Sequence, residues 1–422
     1  MGAALTQRPD AGRARAMAQL AAEPAIARTL EWFVAERKWV TEQHVELCRI
    51  PAATFREARR AEWMVERFRS LGCEARLDKA GNVIALPAQA GHGQLVALTA
   101  HLDTVLEPRR PEEIRVGADG GLQGPGVADN GPGLAALLAV ARAVRDNPLL
   151  TGAKLPLVLV ANVGEEGEGN LSGMRYLCRP AGLASRIAAF VVLDGPSVDH
   201  ITNRALASRR FELTVNGPGG HSWSDHGVGN PVHALSRAIT LFAETPLSNS
   251  NGYPRTSFNF GVIEGGTSVN SIPHEARAKV DIRSESGARI EEVSALLAGA
   301  VERALELENE RARGGRVTAK LREIGARPGG QTPEDAPILQ HILATDAHLG
   351  IRAHLDCAST DANVPLSLGI PAISIGAGGQ GGGAHTASEW FHPERREAGL
   401  RRIFLILCQL MRDIDPSAVC GR

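Results

Sequence analysis

Residues 157–169 read L-V-L-V-A-N-V-G-E-E-G-E-G, an apolar run that ends in two adjacent carboxylates, Glu165 and Glu166. A run that does not alternate marks a strand buried on both faces, as in the inner strands of an α/β sheet. Two carboxylates directly behind such a strand are costly unless something positive neutralises them. A surface turn is the plainer reading, and the strand in front and the glycines on either side argue against it. Consecutive side chains point different ways, so one carboxylate can bind a cation while the other acts as a base.

The same arrangement recurs outward from this stretch. The buried run 95–100 ends at His101 in A-H-L-D-T-V, and the run 187–193 ends at Asp194 in V-V-L-D-G-P. The run 372–375 leads into a glycine-rich loop holding His385, in G-G-Q-G-G-G-A-H-T-A-S-E. Asp129 stands in G-P-G-V-A-D-N-G-P-G, ahead of a helical stretch at 130–144. Taken singly, each has a bland reading: a satisfied core histidine, a helix N-cap, a turn carboxylate, a solvated loop histidine. Asp103, two residues past His101, can accept from the imidazole N–H, as the carboxylate behind a metal-bound histidine commonly does.

Together, two histidines and four carboxylates stand at strand ends, where α/β sheets place ligand sites. Two divalent ions sharing one bridging carboxylate need about five ligands and leave one Glu over as base. Oxygen and nitrogen donors without thiolates suit zinc, and equally manganese or cobalt.

The pattern changes after residue 205. The run 210–216 alternates as a half-exposed strand would, and 256–263 and 274–284 also read as strands, with helices expected at 231–243 and 288–310 and a closing strand at 317–323. That order predicts a four-stranded antiparallel α+β unit of ferredoxin-like type over 206–324. It is inserted into an α/β unit formed by 1–205 and 325–422, with the Gly- and Pro-rich stretch 325–337 as a hinge.

Composition sets the frame. The 422 residues are 43% hydrophobic, 22% charged and 4% aromatic, with a formal net charge of −1. Such a balance favours neither nucleic acid nor an anionic membrane as partner. No apolar run is long enough to span a bilayer, and residues 1–10 carry no stretch of signal-peptide type. Gly2 and Thr6 match the loose myristoylation pattern, which occurs often by chance. The six cysteines are scattered without a C-x-x-C pair, so reduced thiols and a cytoplasmic protein are expected.

With these motifs in place, the chain resembles the M-twenty metallopeptidase family from about residue 45 to 393. The motifs that carry the likeness are H-L-D at His101, D-N-G at Asp129, E-E at Glu165, L-D-G at Asp194, G-G-H-S at His221 and A-H-T at His385. The resemblance implies a mixed-sheet, zinc-exopeptidase-like catalytic domain with an inserted ferredoxin-like dimerisation or lid domain, working as a homodimer. It implies that His101 and Asp194 hold one metal, Glu166 and His385 the other, and that Asp129 bridges both. Asp103 would orient His101, and Glu165 would be the general base. His221 would reach the partner's site and stabilise the oxyanion. Asn270 and Arg283 match positions that contact a substrate carboxylate, and Thr360 a position lining the substrate pocket. Asn130 departs from the Lys or Asp that many members carry there.

Three functions follow as expectations. The first is a peptidase T-like aminopeptidase or dipeptidase acting on short peptides. The second is an N-acyl amino-acid deacylase using the same metals. The third is a binding protein that kept the fold and lost catalysis; its mark would be a missing ligand, and every position here is filled.

Overall fold

The computed structural model describes residues 11–87, 93–145, 147, 150, 153–246 and 254–413. Gly2, Thr6 and Cys420 lie outside them. The chain opens with helices α1 (Ala11–Ala22), α2 (Pro24–Ala35), α3 (Arg37–Cys48) and α4 (Ala58–Ser70). Strands β1 (Cys73–Leu77), β2 (Val83–Pro87) and β3 (Leu95–His101) follow, then α5 (Gly131–Arg145), β4 (Leu157–Asn162), β5 (Ile187–Leu193) and β6 (His200–Ala205). Next come β7 (Ala207–Asn216), α6 (Pro231–Ala243), β8 (Thr256–Gly265), β9 (Glu275–Ser284), α7 (Gly287–Arg311) and β10 (Thr318–Arg327). The path closes with α8 (Pro337–Leu349), β11 (His354–Ala358), β12 (Ala372–Ile375) and α9 (Arg396–Asp413). Two compact units result: Leu206–Gly330, and the segments on either side of it.

The flanking segments build one mixed sheet in the order β1-β2-β4-β3-β5-β12-β6, with β11 beside β6. β4, β3, β5 and β12 run parallel, so their carboxyl ends share one edge. Every residue of these four strands is buried, as their unbroken apolar runs require. α5 is buried almost all round. It starts where Gly131 passes so close to the His44 imidazole and the Cys48 thiol that a Cβ would collide with both. At its first turn the Asn130 side-chain oxygen accepts the Gly133 N–H at 3.2 Å, the capping role weighed for Asp129. Across the core, Arg402 of α9 grips Asp346 of α8 with two 2.7 Å bonds.

The inserted unit has the strand–helix–strand–strand–helix–strand order anticipated for it. Its antiparallel sheet runs β8-β9-β7-β10, and α6 and α7 pack through Leu235, Ala238, Leu297 and Val301. Pro231 opens α6, and the Asn230 side chain accepts from the Val232 and His233 amides. The end of the unit differs from expectation. β10 stays paired with β7, through a register shift between Glu323 and Gly325, until Arg327 meets Ser208, so three residues of the expected hinge are held in a ladder. The compact unit ends at Gly330 rather than at residue 324. Among the described residues no helix is long and apolar enough to cross a membrane, and Cys48, Cys73, Cys178, Cys357 and Cys408 are free thiols.

Candidate metal centre

The shared edge of the parallel strands gathers the residues singled out above. β3 ends on His101. The turn after β4 carries Glu165 and Glu166, the one after β5 carries Asp194, and the loop beyond β12 brings His385. Asp129 arrives just ahead of α5. Possible ligand atoms within 4.8 Å of one another form three overlapping groups: His101, Asp129 and Asp194; Asp129, Glu166 and His385; and His101, Glu165 and Glu166.

Asp129 is common to the first two groups, and its oxygens divide between them. Oδ1 lies 3.0 Å from His101 Nε2, and Oδ2 lies 3.1 Å from His385 Nε2. His101 Nε2 also faces Asp194 Oδ1 at 3.9 Å, and His385 Nε2 faces Glu166 Oε1 at 2.8 Å. His101 Nδ1 donates to the Asp103 backbone carbonyl at 2.9 Å. That bond fixes the tautomer whose Nε2 lone pair points at the carboxylates, as a metal-binding histidine requires.

The electrostatics fit a cationic occupant. Burial lowers the His101 pKa, yet its contacts with Asp103, Asp129 and Asp194 raise it well above the ordinary value. The Asp129 contact, against the cost of burial, raises His385 to about 9. Burial and the neighbouring Asp129 charge push Glu166 up to about 7. Burial also opposes ionisation of Asp129, but the two imidazoles hold it below the usual carboxylate range. Protons held on the histidines would balance this charge. Two divalent ions would do so with the nitrogen and oxygen donors they prefer.

Asp103 acts differently from expectation. Its carboxylate comes no closer than 3.6 Å to the imidazole, too far for a hydrogen bond. Instead it accepts the Glu165 N–H at 3.0 Å and the Glu166 N–H at 2.9 Å. Thr54 adds its hydroxyl at 3.0 Å, and Glu57 accepts the preceding Gly164 N–H at 3.1 Å. Gly164 has φ +66°, a left-handed turn that glycine adopts without strain. Two buried carboxylates thus hold three consecutive amides and aim the Glu165–Glu166 pair.

Residues 206–308 match the family model described as peptidase dimerisation domain, and residues 82–209 match that of peptidase family M28. A succinyl-diaminopimelate desuccinylase from Ectopseudomonas mendocina is 28% identical over 262 residues, covering 58% of this chain and 68% of that protein. A tripeptidase from Staphylococcus aureus superposes with a TM-score of 0.72 at 19% identity, over 89% of this chain and 98% of its own. A dinuclear metal-binding peptidase of the M20 family from Bacillus subtilis superposes at 0.66 and 16% identity, over 89% and 99%. The last two likenesses concern the fold. The family-model match and the curated relative support an M-twenty metallopeptidase family for this chain.

The fold and the matched dimerisation domain fit a catalytic domain carrying an inserted dimerisation domain. Asn130, its departure from many family members, is a brace and not a ligand: its amide donates to the Leu193 carbonyl at 2.8 Å and its oxygen accepts from Gly195 at 3.2 Å. This ties the Asp129 loop to the end of β5. Thr360 is buried, and its hydroxyl accepts the Ala362 N–H at 3.2 Å. In the inserted domain His221 is exposed, and its Nδ1 accepts the Trp223 and Ser224 amides at 3.2 and 3.3 Å. The proton of the neutral ring therefore sits on Nε2. Asn270 lies beside it, its carbonyl accepting the Ser222 N–H at 2.9 Å and its side chain the Ser268 hydroxyl. Arg283 pairs with Asp281 at 2.7 Å.

Two carboxyl groups of the catalytic domain escaped the reading of the sequence. Glu389, four residues past His385, accepts three amides of the Asp129 loop. Asp361 is 1% exposed and accepts from Asn162 Nδ2 at 2.6 Å, while Oδ1 of each partner has no other hydrogen bond. Burial raises Asp361 to about 7, and a proton on its Oδ1 would satisfy both orphaned oxygens. The only signal in the sequence was their proximity to His385 and Thr360.

Proposed function

We propose that this chain is an amide-bond hydrolase with two co-catalytic divalent ions, zinc first among them, acting on short peptides as an aminopeptidase or dipeptidase of the peptidase T kind. The observation that carries this reading is the division of the Asp129 oxygens between His101 and His385, which suits a carboxylate shared by two ions. His101 and Asp194 would hold one ion and Glu166 and His385 the other. When bound, such ions polarise a scissile carbonyl and make water acidic near neutral pH.

The remaining work falls to side chains of this chain. Glu165, buried and aimed by the bond from its amide to Asp103, takes the proton of the attacking water and passes it to the leaving amine. His221 Nε2–H is a donor for the developing oxyanion. The match to a peptidase dimerisation domain supports a homodimer in which His221 serves the site of the second copy. Asn270 and Arg283 would then meet a substrate carboxylate, and Thr360 would line the pocket from the catalytic domain.

A second reading, deacylation of N-acyl amino acids, is favoured by the likeness to a desuccinylase over more than half of the chain. The deciding experiment is a screen of metal-reconstituted protein against dipeptides, tripeptides, and N-acetyl and N-succinyl amino acids. Hydrolysis of unblocked peptides supports the first reading. Turnover confined to acylated amino acids replaces it with the second, and no turnover of either class removes both.

A further inference from the structure

Glu389 is 3% exposed, and among the described residues no arginine, lysine or histidine pairs with it. What compensates its burial is backbone. Oε1 accepts the Ala128 N–H at 2.7 Å and the Asp129 N–H at 2.9 Å, and Oε2 accepts the Gly126 N–H at 2.8 Å. Its own carbonyl accepts the Gly124 N–H at 2.9 Å. Four amides of one loop thus end on a single residue of another. Bonds of this kind to an ionised carboxylate are roughly twice as strong as neutral ones, and any of these amides left buried and unmade would be costly.

The loop is also tied by the Asn130 side chain to Leu193 and Gly195 and by the Cys48 thiol to the Gly126 carbonyl. Gly124 and Gly126 take φ +136° and +74°, a path that belongs to neither helix nor strand. Yet this loop must deliver Asp129 with its two oxygens aimed at different imidazoles, where an error of about an ångström is felt. Glu389 sits four residues past His385, so one short loop supplies a ligand and also grips the loop that supplies the shared one. Asp103 does the same on the other side of the centre: it follows His101 and holds the amides of Glu165 and Glu166.

We propose that Glu389 is a positioning residue of the metal centre, a carboxylate clamp that sets the spacing between His385 and Asp129 before any ion arrives. The proposal rests on the two-ion reading for its consequences in metal affinity, and on geometry alone for the clamp. The clamp makes the His385 loop and the Asp129 loop move as one piece, so that His385 and the shared Asp129 are presented together.

The test compares Glu389→Gln with the parent protein and with Glu389→Asp. Glutamine keeps the volume, but turns an NH2 group toward amides that need an acceptor. In metal-free protein, hydrogen exchange at Gly126, Ala128 and Asp129 is expected to quicken at least about tenfold in Glu389→Gln. Exchange at Glu165 and Glu166, held by Asp103, stays as in the parent. By chelator competition zinc binds the variant about 10–100-fold more weakly, kcat falls with KM little changed, and Glu389→Asp lies between the two. Unchanged exchange at the three amides, equal quickening at Glu165 and Glu166, or parental zinc affinity would overturn the proposal. If Glu389→Gln does not fold, Glu389→Asp is read by the same two measurements, and parental values for it overturn the proposal. A parent protein that takes up no zinc would sink the two-ion reading, while exchange in the metal-free protein still decides the clamp.

Discussion

The backbone N–H of Glu165 donates to the Asp103 carboxylate at 3.0 Å, so the proposed base is aimed through its own main chain by a residue from a neighbouring strand end. Glu165→Ala should lower kcat by at least roughly two orders of magnitude and leave metal content at the parental level. Steady-state kinetics beside elemental analysis checks both. Near-parental turnover would take the base role away from Glu165.

Ligand substitutions should separate by stoichiometry. Because Asp129 faces both imidazoles, Asp129→Ala is expected to lose both ions. Asp194→Ala and His385→Ala touch one group each and should each retain the ion of the other. Metal content per chain after dialysis distinguishes these cases, and two ions retained by Asp129→Ala would rule out the shared carboxylate.

Asp361 carries a pH signature of its own. Burial lifts its folded pKa from the ordinary 3.8 to about 7. Between these values the folded state binds the proton and the unfolded chain does not, so stability falls as pH rises through that window and levels off above it. Asp361→Asn keeps the shape and can pair with Asn162 amide to amide, without a charge to bury. In metal-free protein the variant should match the parent near pH 4 and gain on it at about 1.4 kcal/mol per pH unit at most, up to neutrality. Denaturant unfolding across this range measures the difference, and a difference that does not change with pH would contradict a proton held at Asp361.

His221 offers a test of assembly. If it serves the site of a second copy, neither His221→Ala nor Glu165→Ala homodimers should be active. Mixed subunits should recover partial activity, because one site in the hybrid has both groups intact. Mixing the two variants after mild dissociation and assaying the hybrid checks this, and absence of recovery speaks for a site complete within one chain.

Much of this molecule was readable before folding was considered. Buried strands announce themselves by runs that do not alternate, as at 95–100 and 187–193, and the switch to alternation after 205 marks a second kind of unit. The end of β10 was not readable, since Gly325 and Pro328 look like a hinge. Pairing with β7 carries the strand to Arg327, and a ladder partner more than a hundred residues away leaves no local trace.

The sequence by itself determined the strand ends and the residue types upon them, because periodicity and composition act locally and survive in a linear string. His101, Asp129, Glu165, Glu166, Asp194 and His385 were legible on that basis. Only the tertiary structure decided who holds whom. The Asp103 carboxylate binds amides 62 and 63 residues away and leaves the imidazole two residues before it to its backbone carbonyl, and Glu389 binds amides about 260 residues away. A buried carboxylate takes whichever donors the fold leaves unsatisfied around it, and that set exists only once the loops have met.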